Sequence, residues 1–277
     1  MIKPMLAHKL DESRIDWAKP VYMQPKLDGV RCVFTKDGAY SRTGKQFMNV
    51  QHIEDSLREF FKQKPDMILD GELYNHSLKN DFEKIISLVR KQKPTEQDRL
   101  NASQMIQYHV YDYISDDYQE YKSRMNNLVC SDIYDRQILP VAAMLVDSYN
   151  YARDLHVEFL NVGYEGSIIR NGTGIYKHGR SYDLMKFKDF HDTEATIVDY
   201  QEGKGKRTGT LGKFIMQDDD GNIFGCPPGK GYNYSDLKCM LENIHKYMGQ
   251  RATFTYFERT KAGSYRHPLF KTLRNYE

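Results

Sequence analysis

Four stretches of the chain repeat apolar residues at helical spacing. In 51–63, Ile53, Leu57, Phe60 and Phe61 fall on one face. In 81–91, Phe82, Ile85, Ile86 and Val89 do the same, with Asn80 or Asp81 in place to cap the first turn. Helices also fit 148–161 and 235–248, the latter with Leu237, Met240, Leu241 and Ile244 on one side. Between these lie "VYMQPKL", "VRCVFT", "MILDGELY", "IQYHVYDYI", "EGSIIR" and "DLMKFK", which read as strands. After "KDFHD" (188–192) the character changes. "TEATIVDYQEG", "GTLGKFIMQDDDG", "NIFGC" and "RATFTYFERT" are short strands with turn signals between them, around one helix. That spacing fits a five-stranded Greek-key barrel of the OB type. The pattern predicts a mixed α+β domain over 1–189 and an all-β barrel over 190–277.

Composition adds little to this. With 277 residues, 40% apolar and 28% charged, the chain reads as an ordinary soluble protein. It has no apolar run long enough to span a bilayer. The opening "MIKPMLAHKLDESR" turns charged too early for a signal peptide, so a cytoplasmic location is expected. Cys32, Cys130, Cys226 and Cys239 are widely spaced and form no CxxC pair, which argues for reduced thiols rather than zinc or a disulfide framework. A net charge of +2 does not announce a polyanion partner. Its distribution says more. "GKGKRTGTLGK" (203–213) carries Lys204, Lys206, Arg207 and Lys213 with no acid, which suits a phosphate backbone, although a solvated hairpin would look the same.

The candidate chemistry lies in short segments. "MQPKLDGVR" places Lys26 ahead of an Asp-Gly turn; a lysine held near cations and partly dehydrated is a better amine nucleophile. "ILDGELY" puts Asp70 and Glu72 two apart, on one strand face, with Leu69 and Leu73 on the other. Paired carboxylates suit Mg²⁺ or ribose hydroxyls. "YEGSIIR" offers Glu165 as a third carboxylate. "DLMKFK" alternates Lys186 and Lys188 with Met185 and Phe187, directing both ammonium groups one way. Tyr111 in "HVYDYI" is a stacking candidate, and Arg42 in "SRTGK" a bidentate phosphate clamp. Alone, each has an ordinary explanation: a solvated turn lysine, an acidic strand face, a core tyrosine. Together they are what an amine attacking a Mg²⁺-bound nucleoside triphosphate needs.

The series resembles the covalent nucleotidyltransferase superfamily of DNA ligases, RNA ligases and capping enzymes. "KLDGVR", "SRTG", "DGELY", "VYDYI", "EGSIIR" and "LMKFK" resemble its motifs in order. "EGKGKRTGTLGKF" and "YRHPLFKTLR" resemble the barrel hairpin and last motif of ATP-dependent DNA ligases. The resemblance implies an ATP-grasp-like adenylation (nucleotidyltransferase) domain followed by an OB domain, and a minimal ligase of the phage or viral kind. It implies ATP and Mg²⁺ as cofactors, with Mn²⁺ substituting, and nicked duplex DNA as partner of a monomer. Lys26 would take AMP, and Glu165 with Asp70 would hold the metal. Glu72 would bond the ribose and Tyr111 stack on adenine. Lys186 and Lys188 would neutralise the α-phosphate. Arg31 and Arg42 would bind phosphates, with Arg180 a further candidate, and Arg274 would reach the triphosphate when the barrel closes about a hinge at 188–192. Lys204, Lys206 and Arg207 would meet the duplex. Two departures stand out: Pro25 directly precedes the nucleophile, and "NYE" follows Arg274 where many ligases carry an aspartate–lysine pair. The alternatives are an RNA-joining enzyme of the same superfamily and a non-catalytic nucleic-acid-binding protein.

Overall fold

A computed structural model describes residues 2–114, 118–131, 133–188, 191–229, 231–257, 259 and 263–274. The chain divides into two compact units, Met1–Phe187 and Lys188–Glu277. The boundary expected near 190, and the hinge expected at 188–192, include residues 189 and 190, which lie outside the described residues, as do 275–277.

The first unit runs β1 (Leu6–Lys9), β2 (Val21–Lys26), β3 (Val30–Thr35), β4 (Gly38–Ser41), α1 (Gln51–Gln63), β5 (Ile68–Tyr74), α2 (Phe82–Val89), α3 (Glu96–Met105), β6 (Gln107–Ile114), α4 (Tyr121–Val129), β7 (Ile138–Pro140), β8 (Met144–Val146), α5 (Tyr149–Val162), β9 (Gly166–Asn171) and β10 (Arg180–Phe187). Two five-stranded sheets result, ordered β1-β10-β9-β2-β8 and β4-β3-β5-β6-β7. Both are largely antiparallel; β1 runs parallel to β10, and β7 to β6.

Alternation along the strands sorts their side chains into layers. Cys32 and Phe34 of β3 and Leu69 and Leu73 of β5 pack with Ile53, Leu57 and Phe61 of α1 and Ile85, Leu88 and Val89 of α2. Val21, Met23 and Ile169 of the other sheet pack under Ala152, Leu155 and Phe159 of α5. The remaining faces meet through a thin apolar layer of Met5, Val33, Ile114, Tyr176 and Leu184.

Beside that layer lies a buried ion cluster. Asp112 of β6 accepts from Arg124 of α4 (Nε to Oδ1, 2.7 Å) and from Arg170 of β9 (Nη1 to Oδ2, 2.7 Å). Arg170 Nε also donates to Gln24 Oε1 at 2.7 Å, and Arg124 Nη1 to the Gln119 carbonyl at 2.5 Å. Asp112 and Arg170 belong to different sheets, so this pair ties the sheets together.

Periodicity does not reveal α3 and α4. The only buried residue of α3 is Ala102; its signal is a capping box in which Thr95 and Asp98 exchange side-chain and backbone hydrogen bonds. In α4 a buried arginine, Arg124, interrupts the apolar face.

The second unit comprises β11 (His191–Glu202), β12 (Leu211–Gln217), β13 (Ile223–Cys226), α6 (Tyr234–Glu242), β14 (Arg251–Tyr256) and β15 (Leu269–Leu273). Its sheet is ordered β13-β12-β11-β14-β15. Pro228 bridges Phe270 in parallel, with Gly229 N–H to the Phe270 carbonyl at 3.1 Å and Phe270 N–H to the Pro227 carbonyl at 2.9 Å. The two outermost strands are joined and the barrel closes, in the OB order expected from the strand spacing. Leu237 and Met240 of α6 pack into its core. The helix is shorter than 235–248 because it ends at Glu242, before a separate 3₁₀ turn at Ile244–Lys246. Among the described residues, no helix is long and apolar enough to cross a membrane.

Asp112→Ala strands two buried guanidinium groups, so it is expected to cost about 3–5 kcal/mol of stability, read by urea unfolding. A loss under about 1 kcal/mol would mean that the cluster does not hold the sheets together.

Candidate active site

Lys26 is the last residue of β2, and β2 pairs with β9 so that Lys26 stands opposite Gly166. Glu165, one residue before β9, donates its N–H to the Lys26 carbonyl at 3.0 Å, and its carboxylate pairs with the Lys26 ammonium. A carboxylate therefore sits directly against the Lys26 ammonium, in a cleft that Arg31 and Lys186 also line. An amine attacks only as the free base, so this pair has to part before Lys26 can act as a nucleophile.

The turn after Lys26 requires Gly29. A Cβ there would lie 2.5 Å from the Leu73 carbonyl and 2.8 Å from Glu72 Cγ. Glycine lets the loop press against β5 and brings Lys26 within electrostatic range of Glu72. Pro25 fits for a different reason. Strand β8 pairs only with Val21–Met23, so from Gln24 onward β2 has β9 on one side and no strand partner on the other. That is an edge, where a strand tolerates proline.

Arg31 of β3 lies opposite Glu72 of β5. Its Nε and Nη2 bind both oxygens of Asp70, at 2.9 and 2.5 Å, and Nη1 donates to the Met5 carbonyl at 2.7 Å. Asp70 also accepts from the Tyr176 hydroxyl at 2.7 Å and is 1% exposed. A metal held by Asp70, as expected from sequence, would share this carboxylate with Arg31 and Tyr176. Among the described residues, no group of three or more His, Cys, Asp or Glu side chains is arranged to hold an ion.

Glu72 takes a hydrogen bond from the Tyr111 hydroxyl at 3.3 Å. Burial pushes its carboxyl up to about 7, against the opposing charges of Lys26 and Arg31. The guanidinium carbons of Arg31 and Arg170 lie 5.8 and 5.5 Å from the Tyr111 ring centre.

These side chains share one cleft of about 280 Å³, lined by Lys26, Arg31, Glu72, Tyr111, Arg170 and Lys186, with Arg42 and Arg180 at its border. A second hollow of about 520 Å³ adjoins it, sharing Leu6, Arg31, Arg42 and Glu72 and adding Lys45 and Arg90. The structure thus brings Lys26, Arg31, Arg42, Glu72, Tyr111, Glu165 and Lys186 together.

Lys188 differs from expectation. Strand β10 ends at Phe187, so the alternation that would pair Lys188 with Lys186 stops short; Lys188 falls in the second unit, with its Nζ 4.4 Å from the Phe257 ring centre. Arg274 is also in the second unit, paired with Glu194 of β11. Lys204, Lys206 and Arg207 stand exposed together on the β11–β12 loop, which contains a 3₁₀ turn at Gly205–Arg207 and positive φ angles of 62° at Gly205 and 80° at Gly209. Sequence reading passed over Gln24, Asp112, Arg124 and Tyr176. The available signal was a polar Gln24 inside an apolar run and the arginine that ends "EGSIIR".

Residues 4–188 match the family described as "ATP dependent DNA ligase domain", and residues 202–274 match "DNA ligase OB-like domain". The chain belongs to the ATP-dependent DNA ligase family. The DNA ligase of African swine fever virus (strain Badajoz 1971 Vero-adapted) is 29% identical over 230 residues, covering 76% of this chain and 52% of the viral protein. This ligase-family chain thus spans about half the length of the curated viral relatives it matches. A solved Lig E DNA ligase shares its fold, with a TM-score of 0.80 and 22% identity over 99% of this chain and all of the other. The Chlorella virus DNA ligase-adenylate superposes with a TM-score of 0.54 and 26% identity, covering 100% and 99% of the two chains.

Glu72 supplies a pH test of this ligase-family cleft. Burial raises its folded-state value above the ordinary 4.5, so its contribution to stability is complete below pH 4.5 and is lost as pH rises through about 7. Glu72→Gln removes that dependence. Its melting temperature relative to wild type is expected to be higher at about pH 8 than at about pH 5. An equal difference at both would show that Glu72 ionises normally.

Proposed function

We propose that this protein is an ATP-dependent DNA ligase that seals nicks in duplex DNA. The observation that carries the reading is the Lys26–Glu165 pair at the head of a cleft that also holds Lys186, Arg31, Glu72 and Tyr111. The ligase relatives and the match to a ligase OB-like domain favour DNA over RNA as the joined strand.

Three displacements at phosphorus make up the reaction. First, Lys26 Nζ gives up a proton and attacks the α-phosphorus of ATP; an N–P bond forms, and pyrophosphate leaves. Next, the 5′-phosphate at the nick attacks the same phosphorus; the N–P bond breaks, and the lysine regains a proton. Last, the 3′-hydroxyl attacks the activated 5′-phosphate, a phosphodiester forms, and AMP leaves with the bond electrons. Such steps depend mainly on positioning and on charge neutralisation.

In this reading Lys186 faces the α-phosphate, Glu72 accepts from the ribose hydroxyls, and Tyr111 lies against the base. Arg31 and Arg42 bind phosphates, Arg42 the 5′-phosphate of the nick. Mg²⁺ arriving with the triphosphate would neutralise its charge. Glu165 is the carboxylate that fits it, since Mg²⁺ is commonly held by one or two carboxylates plus substrate phosphates. Arg274, with Lys188, serves the triphosphate, and Lys204, Lys206 and Arg207 serve the duplex. The protein acts as a monomer in the cytoplasm.

Incubation with α-labelled ATP and Mg²⁺ tests the reading. Wild type is expected to carry acid-labile, lysine-linked AMP, and Lys26→Ala none. An unlabelled wild type, or equal label on both, refutes it. Sealing of nicked DNA, set beside nicks with RNA ends, identifies the strand. Affinity for nicked duplex should fall steeply as salt rises; a flat log–log slope would remove the basic loop from the account.

A further inference from the structure

Tyr176 belongs to no motif, yet its hydroxyl closes a ring of hydrogen bonds beneath the cleft. The Met5 N–H donates to Tyr176 Oη at 3.0 Å, and that hydroxyl donates to Asp70 Oδ2 at 2.7 Å. Asp70 holds Nε and Nη2 of Arg31, and Arg31 Nη1 donates to the Met5 carbonyl at 2.7 Å. Four distant parts of the chain meet in this ring: the segment before β1, strands β3 and β5, and the β9–β10 loop.

The ring is largely closed to solvent, with Met5, Asp70 and Tyr176 all buried. Water is a poor substitute for a lost member there, and an unmet buried donor or acceptor keeps its full desolvation penalty. Three of the five guanidinium N–H groups are committed to the ring, which fixes the plane of the fork; the rest remain for the cleft that Arg31 lines. Tyr176 thereby sets the angle at which Arg31 meets whatever enters beside Glu72.

We propose that Tyr176 is a positioning residue that acts through Asp70 and Arg31 on nucleotide binding. This rests on the reading of Arg31 as a phosphate-binding group. The competing account is that Tyr176 only fills the apolar layer between the sheets, where its ring packs with Met5, Val33, Ile114 and Leu184. Tyr176→Phe separates the two accounts, because it keeps the ring and deletes the hydroxyl.

The experiment measures lysine–AMP formation against ATP concentration, together with melting temperature, for the full chain. Tyr121→Phe is the control: Tyr121 is buried more deeply than Tyr176, but its hydroxyl meets Met125 Sδ at 3.5 Å and lies outside the ring. Y176F is expected to raise the half-saturating ATP concentration about tenfold, with a smaller fall in the maximal rate, while Y121F stays at the wild-type value. In an Arg31→Lys background, Y176F should add less than about a twofold change, because the group through which it acts is gone. Wild-type ATP dependence in Y176F, whatever its melting temperature, overturns the proposal. So does a full tenfold effect in the Arg31→Lys background. Absence of label on wild type would instead refute the ligase reading itself.

Discussion

The carboxylate of Asp112 holds the first unit's two sheets in register, and the cleft depends on that. Each sheet has its own helical cover, and the apolar layer between them is thin. Placing one aspartate and two arginines in that gap carries a desolvation penalty of several kcal/mol per ion, which is offset only when every hydrogen bond is made. The structure supplies partners beyond Asp112 itself. Gln24 accepts from Arg170, and the Gln119 and Gly174 carbonyls accept from Arg124. Gln24 stands two residues before Lys26 and Asp112 one residue after Tyr111, so the cluster that joins the sheets also fixes the two strands that carry these side chains.

Much of this was legible in the sequence, for physical reasons. Strands β3 and β5 alternate cleanly, and the positions of Arg31, Asp70 and Glu72 on the face opposite Leu69 and Leu73 follow from a period of two. The barrel was readable because turn residues punctuate its strands and its helix has one apolar face. What was not legible depends on contacts between distant parts of the chain. That Asp70 is engaged by Arg31 and Tyr176 shows only once β3, β5 and the β9–β10 loop are brought together. Lys188 keeps step with Lys186 only while the strand continues, and no local signal marks its end at Phe187. Helix α3 forms through its cap rather than through an apolar stripe, and α4 carries its buried arginine where a periodic reading expects a leucine.

The charges of the cleft are arranged in internal pairs. Lys26 is matched by Glu165, Arg31 by Asp70, and Arg170 by Asp112, while burial raises Glu72 towards neutrality. The last pair is buried and acts as scaffold, while Arg31 pairs with buried Asp70 and still lines the cleft. The first is partly open, and in the proposed mechanism it is the one that exchanges partners.

Pro25 carries a consequence beyond tolerance. From Gln24 onward, β2 has no strand partner on the side away from β9. Open edges recruit strands from other chains, and a second copy of this protein would bring an identical one. A proline interrupts the series of donors that such pairing needs. Pro25 therefore removes a backbone donor on the side of β2 that no strand covers, which disfavours pairing with a further strand beside Lys26.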